Sequence, residues 1–339
     1  MINDLINSYN YARNSNFVFA ETVSIEQFQN LNISEKYVVE ENELQITYKL
    51  DFININENDV IFCNLDFVND LFILLRKVKN ISNLKLITHQ SDKKIDFRMF
   101  SKKPKCIVKW YSINVEYQHE DLIPIPIGIA NKFSPKNLQG SDLRMFPFSN
   151  KEIKLYINFN KNTNYKKRSS IYKTYKDENW VIIKDPTLSI NEYNADLQKN
   201  LYILSPWGNG VDTHRFWEAL YSGSIPITVS HQTYLSSTGL PVIYLEDLNS
   251  ITYDMLKNYH ELLKNKEFEW EKLKVQYWMS IINESKIDTK EIFNLQFNKS
   301  LNSYLNKKFK AKKFIKSKIK KFKYYILRPF RYIMKYSIS

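Results

Sequence analysis

A chain of 339 residues is longer than a single hydrophobic core normally supports, so its length predicts two domains. The net charge of +13 comes from the end of the chain, because residues 292–339 contain 14 Lys plus Arg and no acid. Two cysteines and five scattered histidines argue against a structural zinc module, and the absence of about 18 consecutive apolar residues argues against a membrane span.

The first half of the chain alternates apolar runs with helical patterns. Residues 1–50 are polar and weakly periodic, and they predict little beyond a helix near the start. Further on, the patterns predict strands at 60–63, 84–88 and 106–110, a helix at 67–78 and an extended segment at 123–129. Strand–helix alternation favours a parallel sheet with helices on its faces.

A stretch rich in Asn, Ser, Pro and Gly, residues 131–152, is typical of a linker or long loop. The alternating pattern then resumes, with strands predicted at 153–158, 180–183, 201–204 and 242–245, helices at 167–175 and 191–199, and helical residues at 251–306. We therefore expect two Rossmann-like α/β domains, residues 1–140 and 150–300, and a basic amphipathic helical tail at 301–339.

The most informative stretch is residues 201–227, LYILSPWGNGVDTHRFWEALYSGSIPI, which predicts a strand, a turn, a helix and a second strand. Gly208, Asn209 and Gly210 supply a turn that can bring backbone close to a ligand, and Asp212 is the expected N-cap of the helix. Thr213 stands where a dinucleotide-binding fingerprint has its third glycine.

The predicted helix has one apolar face and one charged face. At about 100° per residue, Arg215, Glu218 and Ser222 share an arc of roughly 60°, while Phe216, Ala219 and Leu220 can face a core. The helix N-terminus and Arg215 suit a phosphate, and Glu218 suits sugar hydroxyls. The alternative is an ordinary solvated Arg–Glu pair.

Residues 205–227 resemble the donor-site signature of exostosin-like glycosyltransferases, and their spacing is similar to that in GT-B fucosyltransferases. The stretches 86–92, 107–131 and 155–172 resemble the same bacterial group. The resemblance implies the GT-B fold, in which two Rossmann-like domains face a central cleft. It also implies a nucleotide-sugar donor and inversion at the anomeric carbon. The candidate donor-binding residues are Gly208, Asn209, Gly210, Asp212, Thr213, His214, Arg215 and Glu218.

The resemblance implies that the catalytic base comes from the first domain, and ligands in parallel sheets bind beyond the carboxyl ends of the strands. His89 and Asp92 follow a predicted strand, and Glu116 is a third candidate. An ordinary helix cap at Asp92 and a plain hydrogen-bonding role for His89 stay open. In the second half, residues 158–163 follow a predicted strand and Arg168 begins the next helix, so this loop is able to touch donor phosphate; a plain αβ loop is the alternative.

The tail places Ile315, Ile319, Phe322 and Ile326 at helical spacing between lysines. A basic amphipathic helix predicts contact with an anionic membrane surface through residues 307–336. A packed terminal helix with a solvated basic face is the alternative. We expect a cytoplasmic protein, peripheral on the cytoplasmic face of a membrane.

Together these patterns predict a hexosyl- or pentosyltransferase that moves a sugar from a nucleotide-sugar donor to a hydroxyl of a surface-glycan or lipid-linked glycan. We expect no cofactor, no bound metal and no nucleic-acid partner. Two alternatives remain: a catalytically inert sugar- or lipid-binding protein of the same fold, and a basic-tailed nucleic-acid binder.

Overall fold

The computed structural model of the chain describes residues 4–32, 36–134, 138, 148–283, 292–296 and 298–336. The chain divides into two compact units, residues 1–294 and 295–339. The first unit contains two β-sheets with helices around them, so the fold is a mixed α/β fold with parallel sheets. The predicted boundary between two domains near residues 140–150 stays a prediction.

The first sheet contains strands β1 to β3 and β5 to β8, and a further strand, β4, lies outside it. Their bounds are β1 (Phe17–Ser24), β2 (Lys36–Glu41), β3 (Gln45–Leu50), β4 (Phe52–Asn56), β5 (Val60–Asn64), β6 (Leu84–His89), β7 (Ile107–Ser112) and β8 (Leu122–Pro124). The spatial order is β2-β3-β1-β5-β6-β7-β8. In this spatial order, β1, β5, β6, β7 and β8 pair in parallel with one another, whereas β3 pairs antiparallel with both β1 and β2. Every residue of β5 and β6 is buried, as expected of strands covered on both faces.

The second sheet has five parallel strands. They are β9 (Glu152–Ile157), β10 (Val181–Ile183), β11 (Asn200–Leu204), β12 (Ile225–Val229) and β13 (Ile243–Leu245). Their spatial order, β10-β9-β11-β12-β13, is 2-1-3-4-5 in chain order. The chain leaves β9 toward one edge and returns to start β11 on the other side of β9. The loops after β9 and β11 therefore diverge, and such a switch point is where open α/β sheets bind ligands.

Helices connect and flank these strands. Around the first sheet they are α1 (Ser8–Arg13), α2 (Ile25–Gln29), α3 (Val68–Leu75) and α4 (Phe97–Phe100). Later in the chain they are α5 (Tyr165–Tyr175), α6 (Ile190–Lys199), α7 (His214–Tyr221), α8 (Tyr253–Leu263) and α9 (Val275–Asn283). Capping boxes fix two helix starts, at Ser24 with Gln27 and at Ser189 with Glu192.

The two sheets share apolar contacts. Phe216, Trp217 and Leu220 of α7 pack in one cluster with Ile129, which follows β8. Helix α9 packs with Val60 and Phe62 of β5, although it follows the second sheet in the chain. The predicted apolar face of α7 is therefore buried, and it joins the segment after β8 to the second sheet.

Two predictions about elements differ from the structure. Residues 17–24, 36–41 and 45–50 form strands, where the sequence indicated only a helix. β2 is the edge strand and is partly exposed, so it carries polar residues. β1 and β3 are largely buried but contain the polar residues Glu21 and Lys49, which form ion pairs with residues of other elements. The helical interpretation of 251–306 is interrupted by β14 (Ile292–Gln296), and its residues 284–291 lie outside the described residues, as do 135–137 and 139–147 of the predicted linker.

The second unit contains the end of β14 and α10 (Lys299–Tyr336). Among the side chains of α10 that the structure describes, those of Phe314, Ile315, Ile319 and Phe322 are more than half exposed, whereas that of Ile326, predicted at the same spacing, lies outside the described side chains. Within the described ranges no helix has both the length and the apolar character needed to cross a bilayer.

Candidate functional site

Loops from both sheets meet at their carboxyl ends. After β7, Asn114 and Val115 contact the segments that follow β11 and β12, and after β8, Ile127 and Gly128 contact the start of α7. The loop after β9, residues 158–164, and the loop after β11, residues 205–213, flank the switch point of the second sheet. Most of the residues predicted to bind the donor lie in the second of these loops or at the start of α7.

Arg168 of α5 joins these two loops. Its side chain is buried, with 4% of its surface exposed. Nε donates to the carbonyl oxygen of Trp207 at 3.1 Å, Nη1 to that of Asn160 at 3.1 Å, and Nη2 to that of Pro206 at 2.9 Å. Among the described contacts, the hydrogen-bond partners of the guanidinium are all neutral, although a buried charge is normally paired with a charge of opposite sign.

Arg215 lies close by, in the first turn of α7. Its Nε is buried and makes no hydrogen bond with the described residues. In the part of the chain that the structure describes, neither Arg168 nor Arg215 has a carboxylate oxygen within 4.0 Å. Burial, and then the charge of Arg215, lower the pKa of Arg168 to about 10. Two uncompensated cations side by side are the electrostatic condition for binding an anion.

The N-terminus of α7 completes this positive region. Thr213 is the N-cap, but its side chain makes no capping hydrogen bond, and its buried Oγ1 has no described partner. The prediction that Asp212 caps the helix is wrong. The unmade cap leaves N–H groups at the positive end of the helix dipole unpaired by a side chain, next to Arg215.

Asp212 instead connects the two sheets. Its Oδ2 accepts from the backbone N–H of Ile127 at 2.8 Å, and Oδ1 accepts from the N–H of Thr213 and from Nε1 of Trp217, both at 2.9 Å. Burial raises the pKa of Asp212 to about 7, although these hydrogen bonds oppose the rise. The carboxylate faces protein groups, and its predicted role in donor binding stays a prediction.

The two glycines of the turn, Gly208 and Gly210, have different neighbours. Gly208 lies beside the anion-binding region, since a Cβ at this position would be 3.4 Å from Nη2 of Arg168 and 4.0 Å from the methyl group of Thr213. Gly210 allows a close approach of another kind, because a Cβ there would lie 2.8 Å from Nδ2 of Asn114. The close approach at Gly210 is therefore to the protein and not to a ligand, while Asn209 between them is exposed.

Glu218 is buried, with 5% of its surface exposed, and its Oε2 accepts from the hydroxyl of Tyr193 at 2.7 Å. Among the described contacts it forms no ion pair with Arg215, so the alternative of a solvated Arg–Glu pair is wrong. Arg215 is near enough to lower the pKa of Tyr193, although burial outweighs this and raises it. The described partner of the carboxylate is therefore Tyr193 of α6, and the predicted role of Glu218 in donor binding stays a prediction.

The three base candidates occupy different environments. His89 is buried, with Nδ1 accepting from the N–H of Gln90 at 2.8 Å and Nε2 lying 3.2 Å from the carbonyl oxygen of Ile127. Both nitrogens are thus occupied, which disfavours His89 as a base. Asp92 is exposed, and Glu116 is exposed and forms an ion pair with Lys94. The roles of all three stay predictions.

Two residues at the junction of the sheets were not predicted from the sequence. Asn114 adopts a left-handed conformation at φ 54°, and its Oδ1 accepts from the N–H groups of Val211 and Asp212 at 2.8 and 2.9 Å. His231 follows β12, and its ring lies edge-on to Trp207 with the centroids 5.1 Å apart. Its position after a strand was the available signal for His231, whereas the conformation of Asn114 has no signature in the sequence.

Among the described side chains, no group of three His, Cys, Asp or Glu residues is arranged to hold a metal ion. His214 lies in the first turn of α7, and its Nδ1 is 2.8 Å from the carbonyl oxygen of Gly128. The candidate site is therefore a positive region at the switch point, formed by Arg168, Arg215 and the start of α7. His214 lies at the edge of this region.

Comparison with known proteins gives distant likenesses only. No protein-family model matches the chain, and no curated protein matches it. Among solved structures, the chain is similar to an α1,3-fucosyltransferase with GDP-fucose, at 10% identity and a TM-score of 0.33 over 68% of this chain and 80% of that one. It is also similar to the GtfA/B complex, at 8% identity and a TM-score of 0.35 over 68% and 58% of the chains. A third is AviGT4, a glycosyltransferase involved in avilamycin A biosynthesis, at 14% identity and a TM-score of 0.29 over 64% and 75%.

Proposed function

We propose that this protein is a glycosyltransferase that moves a sugar from a nucleotide-sugar donor to a hydroxyl of a surface-glycan or lipid-linked glycan. The observation that carries the proposal is the pair of arginines at the switch point of the second sheet, neither of which has a described carboxylate partner. The resemblance of residues 205–227 to donor-site motifs supplies the ligand class.

The two neighbouring arginine charges favour the binding of an anion that carries at least two negative charges. The lowered pKa of Arg168 means that the folded protein disfavours its charged form, yet at neutral pH the guanidinium stays protonated. A bound diphosphate would offset this penalty by placing negative charge beside Arg168 and Arg215. Arginine also forms paired hydrogen bonds to phosphate oxygens, which fixes the orientation of the ligand.

In the proposed reaction, the acceptor oxygen attacks the anomeric carbon as the bond from that carbon to the diphosphate breaks. Negative charge grows on the departing diphosphate, and Arg215, Arg168 and the N–H groups at the start of α7 stabilise it. Stabilisation of the departing diphosphate by these groups needs no metal ion. Glu218, held by Tyr193, is proposed to accept a hydrogen bond from a donor hydroxyl.

We propose that α10 binds the protein to an anionic membrane surface, where a lipid-linked acceptor would be found. The proposal rests on two features of the tail: its 14 basic residues without an acid, and the exposed apolar side chains of Phe314, Ile315, Ile319 and Phe322. Lysines near an anionic leaflet contribute about 1 kcal/mol each. The expected location is the cytoplasmic face of a membrane.

The test is a panel of sugar nucleotides measured by thermal shift, followed by a transfer assay with the ligands that bind. A ligand at 100 times its Kd stabilises the folded protein by about 2.7 kcal/mol. We expect one nucleotide class to raise the Tm of the wild type and to leave that of Arg215→Ala nearly unchanged. Binding without transfer to any acceptor would instead support an inert binding protein, and no binding at all would contradict the proposal.

A further inference from the structure

A cavity of about 370 Å³ lies beside the start of α7. This volume is within the range of small-molecule pockets. Its lining combines amides with apolar surface and one imidazole: Asn42, Gln45, Asn131, Leu44, Phe133 and His214. Amide groups both donate and accept hydrogen bonds, and an aromatic ring can cover the apolar face of a sugar, so the lining suits a polyhydroxyl ligand.

The imidazole of His214 has a fixed tautomer. Its Nδ1 lies 2.8 Å from the carbonyl oxygen of Gly128, and a carbonyl oxygen only accepts hydrogen bonds. Nδ1 therefore carries the hydrogen, and Nε2 of the neutral ring keeps its lone pair. Nε2 makes no hydrogen bond with any residue that the structure describes. A histidine oriented through Nδ1, with Nε2 free, has the arrangement of a general base.

His89, the neighbouring histidine, has the opposite arrangement. The N–H of Gln90 donates to its Nδ1, so Nε2 carries the hydrogen and donates to Ile127. Burial, and then the nearby His214, lower the pKa of His89 to about 3, which keeps it neutral. Of this pair, only His214 has a free lone pair.

The position of His214 relates the cavity to the proposed donor site. His214 and Arg215 are consecutive residues in the first turn of α7, so their side chains leave the helix about 100° apart. For a donor whose diphosphate is held by Arg215 and the helix N-terminus, attack from the cavity requires the anomeric carbon to lie between Arg215 and the cavity, with the acceptor hydroxyl on the side of His214.

We infer that His214 is the general base of the transfer reaction and that the cavity beside it binds the acceptor sugar; the inference rests on the proposed glycosyltransferase function. Nε2 takes the proton of the acceptor hydroxyl as its oxygen bonds to the anomeric carbon. The bond from that carbon to the diphosphate breaks, and its electron pair leaves with the nucleoside diphosphate. The imidazolium then donates to Gly128 through Nδ1 and returns the proton from Nε2 to water.

The decisive variant is His214→Asn, because the Asn amide can still donate to the carbonyl of Gly128 but cannot take a proton. We expect turnover at saturating donor to fall roughly 10²- to 10⁴-fold, with donor Kd by calorimetry nearly unchanged. His214→Ala should lose as much, and free imidazole should restore part of its turnover. His119→Ala changes a half-buried histidine between β7 and β8 that does not line the cavity, and this control should keep the wild-type turnover.

The outcomes separate this inference from the proposed function. If the wild type binds no sugar nucleotide, both fail. If the wild type transfers sugar and folded His214→Asn keeps its turnover, only the assignment of the base fails. Asp92→Asn and Glu116→Gln are measured in parallel, and a selective loss of turnover in one of them, with His214→Asn active, would place the base there. A large rise in donor Kd in His214→Asn would make His214 a donor ligand and would also overturn the inference.

Discussion

Arg215 is the residue on which donor binding depends most in this account. Its guanidinium has a buried Nε with no described partner and stands beside a second arginine. A residue that serves only the fold is expected to have its buried polar atoms satisfied. An arginine left unpaired beside another cation is better explained by a missing anion.

Replacing Arg215 by Ala should therefore weaken the donor Kd roughly 10- to 100-fold, because a hydrogen bond to a charged group is worth about 1.5–3 kcal/mol. Arg215→Lys should retain only part of the donor affinity, since lysine lacks the planar guanidinium that forms paired hydrogen bonds to phosphate. Calorimetry with the nucleotide found by the panel measures both. Arg98→Ala, an exposed arginine of α4, is the control. Wild-type affinity in a folded Arg215→Ala protein would remove the phosphate assignment.

Glu218→Gln tests whether the buried carboxylate binds the donor. Gln keeps an oxygen for the hydroxyl of Tyr193, so the fold should stay intact, while the loss of charge should weaken donor binding about tenfold. Calorimetry gives the affinity and thermal unfolding the stability. Tyr193→Phe serves as a comparison, because it leaves Glu218 charged. An unchanged donor Kd in Glu218→Gln would reduce Glu218 to a partner of Tyr193.

Glu21, buried in β1 and paired with Arg13 and Tyr48, gives a pH prediction. Burial raises its pKa from 4.5 to about 7, and Arg13 and Tyr48 oppose the rise. The folded state thus binds the proton more tightly than the unfolded state does. The stability that Glu21 contributes is fully present below about pH 4.5 and is lost as pH rises through about 7.

Relative to Glu21→Gln, the free energy of unfolding of the wild type should fall by roughly 3 kcal/mol between these pH values. Urea unfolding of both proteins at several pH values measures the difference. A difference that stays constant across the window would show that Glu21 is ionised in the folded protein throughout.

At the scale of elements, the loop from Gly208 to Thr213 is held by the first sheet. Asn114 accepts from two of its N–H groups, and Asp212 accepts from Ile127. The loop that was expected to meet the donor through its glycines therefore meets the protein with Gly210 and Asp212. Gly208, Thr213 and Arg215 remain toward the proposed donor.

Asn114→Ala should destabilise the protein by roughly 2–4 kcal/mol and weaken donor binding, because two buried N–H groups lose their acceptor. Asn114 has a positive φ, which glycine adopts freely, so Asn114→Gly separates the two causes. If the loss of the hydrogen-bond acceptor causes the destabilisation, Asn114→Gly should be nearly as destabilised as Asn114→Ala in urea unfolding. A Gly variant as stable as the wild type would show that backbone strain, and not the hydrogen bonds, explains the Ala result.

The sequence was most informative where apolar runs are fully buried. β5, β6 and β11 were predicted closely, because strands covered on both faces consist mainly of apolar residues. β2 was missed because it is an edge strand with exposed polar residues, and β1 and β3 were missed because they contain buried polar residues, Glu21 and Lys49, whose ion-pair partners lie in other elements. The N-cap was misplaced by one residue, because the carboxylate of Asp212 is used across the sheets, a contact that no local pattern encodes.

The same limit applies to the candidate site. The start of α7 and the position of Arg215 follow from the motif itself, since both depend on neighbours in the sequence. The burial of Glu218 against Tyr193 and the free Nε2 of His214 depend on residues 25 and 86 positions away. Sequence periodicity placed Glu218 on the charged face, and only packing with α6 shows that this face is covered.

At the scale of the whole molecule, the tail predicts membrane attachment. A chain ending at residue 305 should keep activity on a soluble acceptor analogue and lose binding to vesicles rich in anionic lipid. Full-length protein should leave such vesicles as salt rises, because the charge contribution is screened. Sedimentation with vesicles measures both.

The matched control keeps every lysine and replaces Phe314, Ile315, Ile319 and Phe322 by Ser. This variant should bind vesicles weakly even at low salt if the apolar side chains enter the interface. Equal vesicle binding by the full and shortened chains would contradict the role of the tail. Preferential binding of the full chain to oligonucleotides would favour the nucleic-acid alternative, and failure of the shortened chain to fold would favour a packed terminal helix.

The switch point of the second sheet is proposed to bind the diphosphate of a nucleotide-sugar donor. A crystal structure of the protein with the nucleoside diphosphate of its best ligand tests this directly. Phosphate oxygens should lie at about 3 Å from the guanidinium of Arg215 and from N–H groups at the start of α7, with Arg168 adjacent. Diphosphate bound elsewhere, with Arg215 still unpaired, would contradict it.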